Sequence, residues 1–80
     1  MITVYGKEGC SYCTRAKLHL DSIGVEYIEK LLNRDFSRET FLDIYPNAKT
    51  FPQIVEEDGT VIGGYDQLVV HDKYKKSPKE

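Results

Sequence analysis

The sequence predicts one α/β domain of element order β-α-β-α-β-β-α, a four-stranded mixed sheet flanked by helices. Three observations lead there. Strand, helix and strand patterns follow one another within the first thirty residues, which marks a parallel βαβ unit with a right-handed crossover. Asp58-Gly59 sits between two apolar runs and marks an antiparallel hairpin. Two further segments carry helix-capping residues, Ser37 and Asp66, at their starts.

Each element has its own signal. "ITVYG" (2–6) is apolar and β-branched and stops at a glycine, so it reads as a buried strand. From residue 13 to 23 the period changes: Cys13, Ala16, Leu20 and Ile23 share one helical face, and Gly24 stands where helices commonly end. "VEYIE" (25–29) alternates apolar and acidic residues, the period of a second strand. "SRETFLDIYP" (37–46) begins with the capping serine and ends before a proline, hence a helix. "QIVEE" and "TVIGG" are the arms of the hairpin. Asp66 then caps a last helix, with Leu68, Val69 and Tyr74 packing inward and His71 within it.

Bulk properties exclude several function classes. Eighty residues make one small domain, able to bury about 60–65% of its unfolded surface. Apolar content of 40% and charged content of 30% are ordinary for a globular protein. Eleven basic against thirteen acidic residues give −2, which argues against a general nucleic-acid binder. Residues 71–80 carry four lysines against Asp72 and Glu80, so the first seventy residues hold −4. We assign residues 1–76 to the domain and 77–80 to a flexible, solvated tail. The first residues lack a signal peptide's pattern, and no apolar run is long enough to span a membrane. Two cysteines are too few for a disulfide scaffold, so a reducing cytosol is the expected compartment.

Those cysteines lie in "EGCSYCTRAK" (8–17), and Cys10 falls at the junction of the first strand and first helix. Helix N-termini leave N–H groups unpaired and carry partial positive charge. A cysteine so placed can drop from about 8.5 to anywhere in ~3.5–7.5. Lys7 and Arg15 add positive charge nearby, while Glu8 opposes it. Cys13 opens the inward face of the helix and should be more buried. An exposed thiolate with a shielded thiol in reach is what thiol–disulfide exchange requires. Zinc normally takes four ligands; only His19 and His71 are available, and His19 lies nearly two turns past Cys13. A structural disulfide closing so small a loop would remove little unfolded-state entropy. The redox reading outweighs both.

On "KEGCSYC" (7–13), "KTFPQIV" (49–55), "IGGYDQL" (62–68) and their order and spacing, the sequence resembles a glutaredoxin, across nearly the whole chain. In length it is similar to the short glutaredoxins of bacteria and tailed phages. The resemblance implies a thioredoxin-like fold. It also implies a glutathione-dependent thiol–disulfide oxidoreductase that reduces glutathione mixed disulfides and protein disulfides, ribonucleotide reductase among them. Glutathione would be the co-substrate, with no obligatory metal, and the chain would act as a monomer without nucleic-acid or membrane partners.

By the same resemblance Cys10 is the nucleophile and Cys13 the resolving cysteine, the two forming the redox-active disulfide. Pro52 matches a cis-proline that turns the backbone of Phe51 toward Cys10, and Thr50 completes the T-x-P motif. Lys7 matches a lysine that attracts a glutathione carboxylate, and Lys49 and Arg38 stand where further basic contacts fit. Gly64, Tyr65 and Asp66 match the segment that holds the γ-glutamyl end, and Tyr12 lines the groove. Three residues depart from the common pattern: Ser11 in place of proline, Phe51 in place of valine and Gln67 in place of a second acid. Two other activities fit the resemblance. One is an electron donor reduced by a flavoenzyme of the thioredoxin-reductase kind. The other is a module that shares a glutathione-ligated iron–sulfur cluster between two protomers, as some members with serine at this position do.

Overall fold

The computed structural model describes residues 1–75, so the expected tail at 77–80 lies outside the described residues. It contains β1 (Ile2–Gly6), α1 (Ser11–Ser22), β2 (Tyr27–Leu31), α2 (Arg38–Ile44), β3 (Gln53–Val55), β4 (Val61–Gly63) and α3 (Tyr65–Val70), in the expected order. The strands form one sheet ordered β2-β1-β3-β4. β1 pairs parallel with β2, from Ile2 opposite Tyr27 to Gly6 opposite Leu31, and antiparallel with β3 through Val4 opposite Ile54. β3 and β4 close the sheet as the hairpin, where the Asp58 carboxylate accepts the Thr60 N–H at 2.9 Å.

Alternation along β1 divides the interior into two chemically different halves. Ile2 and Val4 face α1 and α3 and join Ala16, Leu20, Ile54 and Leu68 in an aliphatic core. Tyr5 faces the other way, onto Phe36, Phe41 and Tyr45, with ring centroids 5.0–5.9 Å away. Phe41 comes from α2, whose start is capped as expected: the Ser37 hydroxyl accepts the Thr40 N–H at 3.1 Å.

Four local expectations need correction. β2 starts at Tyr27, because the Gly24 and Val25 N–H groups turn back to the carbonyls of Asp21 and Leu20 and finish the helix. The alternation is also inverted in part: Ile28 is 44% exposed on this edge strand, whereas Glu29 turns inward to Lys17. α3 is capped by Gly64 and not by Asp66, which sits exposed in the first turn. The Gln67 side-chain oxygen accepts the Gly64 N–H at 2.9 Å and takes the capping role. Gly63, at φ 120°, makes the sharp entry, and a Cβ there would lie 3.1 Å from the Gln67 side chain. Finally, the helix ends at Val70, so His71 is its C-cap and Tyr74 packs inward from the turn that follows.

That turn is fastened on two sides. His19 Nε2 donates to the Tyr74 carbonyl at 2.5 Å, and the Tyr74 hydroxyl donates to Glu56 at 2.8 Å. Lys73 donates to the same carboxylate at 2.9 Å. The hydrogen bond from Lys73, then that from Tyr74, holds the Glu56 carboxyl below the usual carboxylate range. Its contribution is therefore fully present above that range and is lost as pH falls through the folded-state value.

Leu20→Ala and Ile54→Ala are each expected to remove about 2–5 kcal/mol of stability, read as a lower urea midpoint at unchanged slope. Glu56→Gln should shrink the stability difference between about pH 7 and pH 3 relative to wild type. Equal acid sensitivity in the two proteins would show that the carboxylate contributes nothing to it.

Candidate active site

The site begins where β1 runs out. Gly6 closes the strand, residues 7–9 turn with Gly9 at φ 74°, and Cys10 caps α1 in an extended conformation. Its sulfur accepts the Cys13 N–H at 3.1 Å, and its carbonyl receives the Thr14 N–H at 3.2 Å. The cap position and the macrodipole both favour negative charge on that sulfur.

Cys10 and Cys13 are joined as a disulfide, with their Cα atoms 5.2 Å apart. Cys10 is partly exposed, while Cys13 is only 3% exposed. The shielding comes from beneath: a Cβ on Gly6 would lie 3.1 Å from the Cys13 sulfur. Any larger residue at position 6 would press on it.

Three groups surround the pair. The Phe51-Pro52 peptide is cis, and the Phe51 carbonyl oxygen lies 3.9 Å from the Cys10 sulfur. This loop is held in place by the buried Gln53, whose amide donates to the Thr50 carbonyl at 2.7 Å. It is held again by the Phe51 ring, packed on Phe36 and Phe41 at 6.0 and 5.5 Å. A second flank is aromatic: Tyr12 and Tyr65 lie 5.9 Å apart, with the Arg15 guanidinium 5.1 Å over the Tyr12 ring. Thus α1 and α3 meet beside Cys10.

The third group is charged. A cleft of about 340 Å³ is bordered by Lys7, Glu8, both cysteines, and the ion pair of Lys17 and Glu29 at 2.6 Å. Across the site, Thr50 and Gly64 border a second cleft of about 550 Å³ together with Tyr45, Val61 and Gln67. Lys49, Arg38 and Asp66 are exposed at the surface. Lys7, Tyr12, Phe51, Pro52 and Tyr65 sit around the cysteines, and Thr50 and Gly64 sit together one step away. His19 is engaged with Tyr74. Among the described residues, no three His, Cys, Asp or Glu side chains are grouped to hold a metal ion. No helix among them is long and apolar enough to cross a membrane.

The sequence reading passed over the packing role of Gly6, the capping role of Gln67, and the Lys17–Glu29 pair. Lys17 lies one helical turn after Cys13 on the same side of α1, a spacing that pointed to it. Glu29 carried no such signal, because its inward direction depends on where β2 begins.

Comparison with known proteins bears on this arrangement. The profile of the glutaredoxin family matches residues 2–62. Glutaredoxin 3 of Escherichia coli is 35% identical over 71 residues, spanning 89% of this chain and 84% of that one. The structure of glutaredoxin 1 from Francisella tularensis, complexed with cacodylate, superimposes with a TM-score of 0.72 at 25% identity, covering 90% of this chain and 91% of that one. A buckwheat glutaredoxin–glutathione complex gives a TM-score of 0.72 at 26% identity, covering 85% of this chain and 64% of that one.

Gly6→Ala should displace the Cys13 sulfur and cost about 1–3 kcal/mol of stability, as overpacking does. It should also slow closure of the Cys10–Cys13 disulfide, measured by quenched alkylation after a pulse of oxidant. A closure rate equal to wild type would mean that the cysteine seat tolerates the methyl group.

Proposed function

The chain belongs to the glutaredoxin family of thiol–disulfide oxidoreductases, and we propose that it works with glutathione, reducing glutathione mixed disulfides and protein disulfides. The observation that carries this reading is the Cys10 sulfur at the start of α1, facing the Phe51 carbonyl beside a cis-proline. That carbonyl and its neighbouring N–H offer an extended edge to the cysteinyl part of glutathione, in the manner of an added strand. Lys7 attracts one carboxylate, with Lys49 and Arg38 reinforcing the cationic side. Thr50 and the Gly64–Tyr65–Asp66 segment receive the γ-glutamyl end, Asp66 meeting its ammonium. Tyr12 and Tyr65 close the flank. A complex of a related glutaredoxin with glutathione supports the assignment of the ligand.

The chemistry needs two electrons. The Cys10 thiolate attacks the glutathione sulfur of a mixed disulfide, and the partner protein leaves as its thiolate, which takes a proton from solvent. A second glutathione, as thiolate, then attacks the sulfur of the glutathione held on Cys10. Oxidised glutathione departs and Cys10 is restored. On a disulfide within one protein, Cys10 forms the mixed disulfide and Cys13 displaces the substrate, leaving Cys10–Cys13 oxidised. A ribonucleotide reductase disulfide is one substrate suited to this second route. We place this chemistry in a reducing cytosol and in a monomer.

The test is reduction of a small glutathione mixed disulfide, coupled to glutathione reductase and NADPH. Wild type and Cys13→Ser should both turn over, and Cys10→Ser should not. Lys7→Gln should raise the KM for the glutathione substrate by about three- to fivefold, the scale of one exposed charge contact. Turnover that depends on a thioredoxin reductase and ignores glutathione would overturn the proposal.

A further inference from the structure

Cys13 can act as a resolving group only if its proton has somewhere to go. The residue is 3% exposed, and Gly6 backs its sulfur closely. The opening it does have is the cleft of about 340 Å³ that it shares with Cys10. A water occupies about 30 Å³ in liquid, so the cleft has room for several. Its walls carry few groups able to take a proton. Lys7 and Glu8 come from the turn after β1 and are exposed to solvent. Thr14 and Lys17 come from α1, and Glu29 and Leu31 from β2. Tyr27 on β2 lies close enough to Asp21, Lys17 and Glu29 for their charges to bear on its hydroxyl, and Arg34, after β2, lies within reach of the charges of Glu29 and Glu8.

Glu29 is distinct among these groups. Its side chain is 30% exposed and that of Lys17 is 28% exposed, and they meet at 2.6 Å, so the carboxylate is held in one place inside the cleft. β2 makes this possible by turning Glu29 inward where the chain's apolar alternation would have put a hydrophobic residue. A lysine reaching one carboxylate oxygen leaves the other lone pairs free to accept a proton.

We propose that Glu29, positioned by Lys17, receives the Cys13 proton during the resolving step. This rests on the dithiol route described above. In that step the Cys13 S–H gives its proton to the Glu29 carboxylate through cleft water, and the sulfur lone pair attacks the Cys10 sulfur. The bond between Cys10 and the substrate sulfur breaks. The substrate leaves with the electron pair as thiolate and takes up the proton from Glu29 or solvent. Cys10 and Cys13 end as an oxidised pair, and the substrate disulfide is fully reduced.

The resolving step can be isolated by loading reduced protein with 5-thio-2-nitrobenzoate on Cys10 and following release of the coloured thiolate by stopped flow against pH. Wild type should show a pH-independent segment on the acidic side of neutrality, where a carboxylate accepts the proton. Glu29→Gln should lose that segment and rise about tenfold per pH unit, as expected when only preformed thiolate reacts. Glu29→Asp should restore part of it, Lys17→Met should weaken it, and Glu8→Gln should keep it. A Glu29→Gln profile that overlays wild type, or loss of the segment on Glu8→Gln instead, would overturn the proposal and leave the dithiol route standing. No release from wild type at any pH would overturn both.

Discussion

The Cys13 N–H that reaches back 3.1 Å to the Cys10 sulfur is a helix cap made from the same atom the proposed chemistry uses. Helix N-termini present unpaired amides, and an oxygen side chain usually meets them. In this chain a sulfur does, so the fold and the site stand on one contact. The rest of α1 serves to keep it there. Ala16 and Leu20 bury the helix against the sheet, and His19 pins the far end to the Tyr74 carbonyl.

Two packing chemistries meet at this point. The aliphatic core under α1 and α3 fixes the helix that carries the cysteines. The aromatic cluster on the opposite face fixes the loop that approaches them, since the Phe51 ring is anchored on Phe36 and Phe41. β1 and β3 join the halves, with Val4 opposite Ile54 and Tyr5 opposite Gln53. That register brings the Phe51 carbonyl and the Cys10 sulfur to the same end of the sheet. A valine in place of Phe51 would leave the loop without its aromatic anchor.

Most of the architecture was legible because it rests on short-range signals. The βαβ unit, the Ser37 cap and the Asp58-Gly59 turn are each written within a few residues. What was misread depends on competition or distance. Asp66 reads as the cap of α3 in the sequence, but Gly64 takes the cap position and its N–H is met by the Gln67 side-chain oxygen from the first turn. The start of β2 was hidden because the amides of Gly24 and Val25 were already taken by the end of α1. Lys17 and Glu29 stand on different elements, twelve residues apart, and no local period joins them. The nearness of Lys7, Phe51 and Pro52 to the cysteines was legible because their motifs are compact; the contact of Gly6 with Cys13 was not, because a packing floor has no motif.

The contact that caps α1 runs through the main chain, and no side chain between the cysteines is needed to make it. Ser11 and Tyr12, which fill that interval, are both exposed. Ser11 borders the cleft beside the cysteines, and Tyr12 packs on Tyr65 of α3, so both identities shape what approaches the sulfur. A lineage carrying this scaffold can therefore alter its clientele by changing two codons, while the backbone contact to the sulfur stays in place.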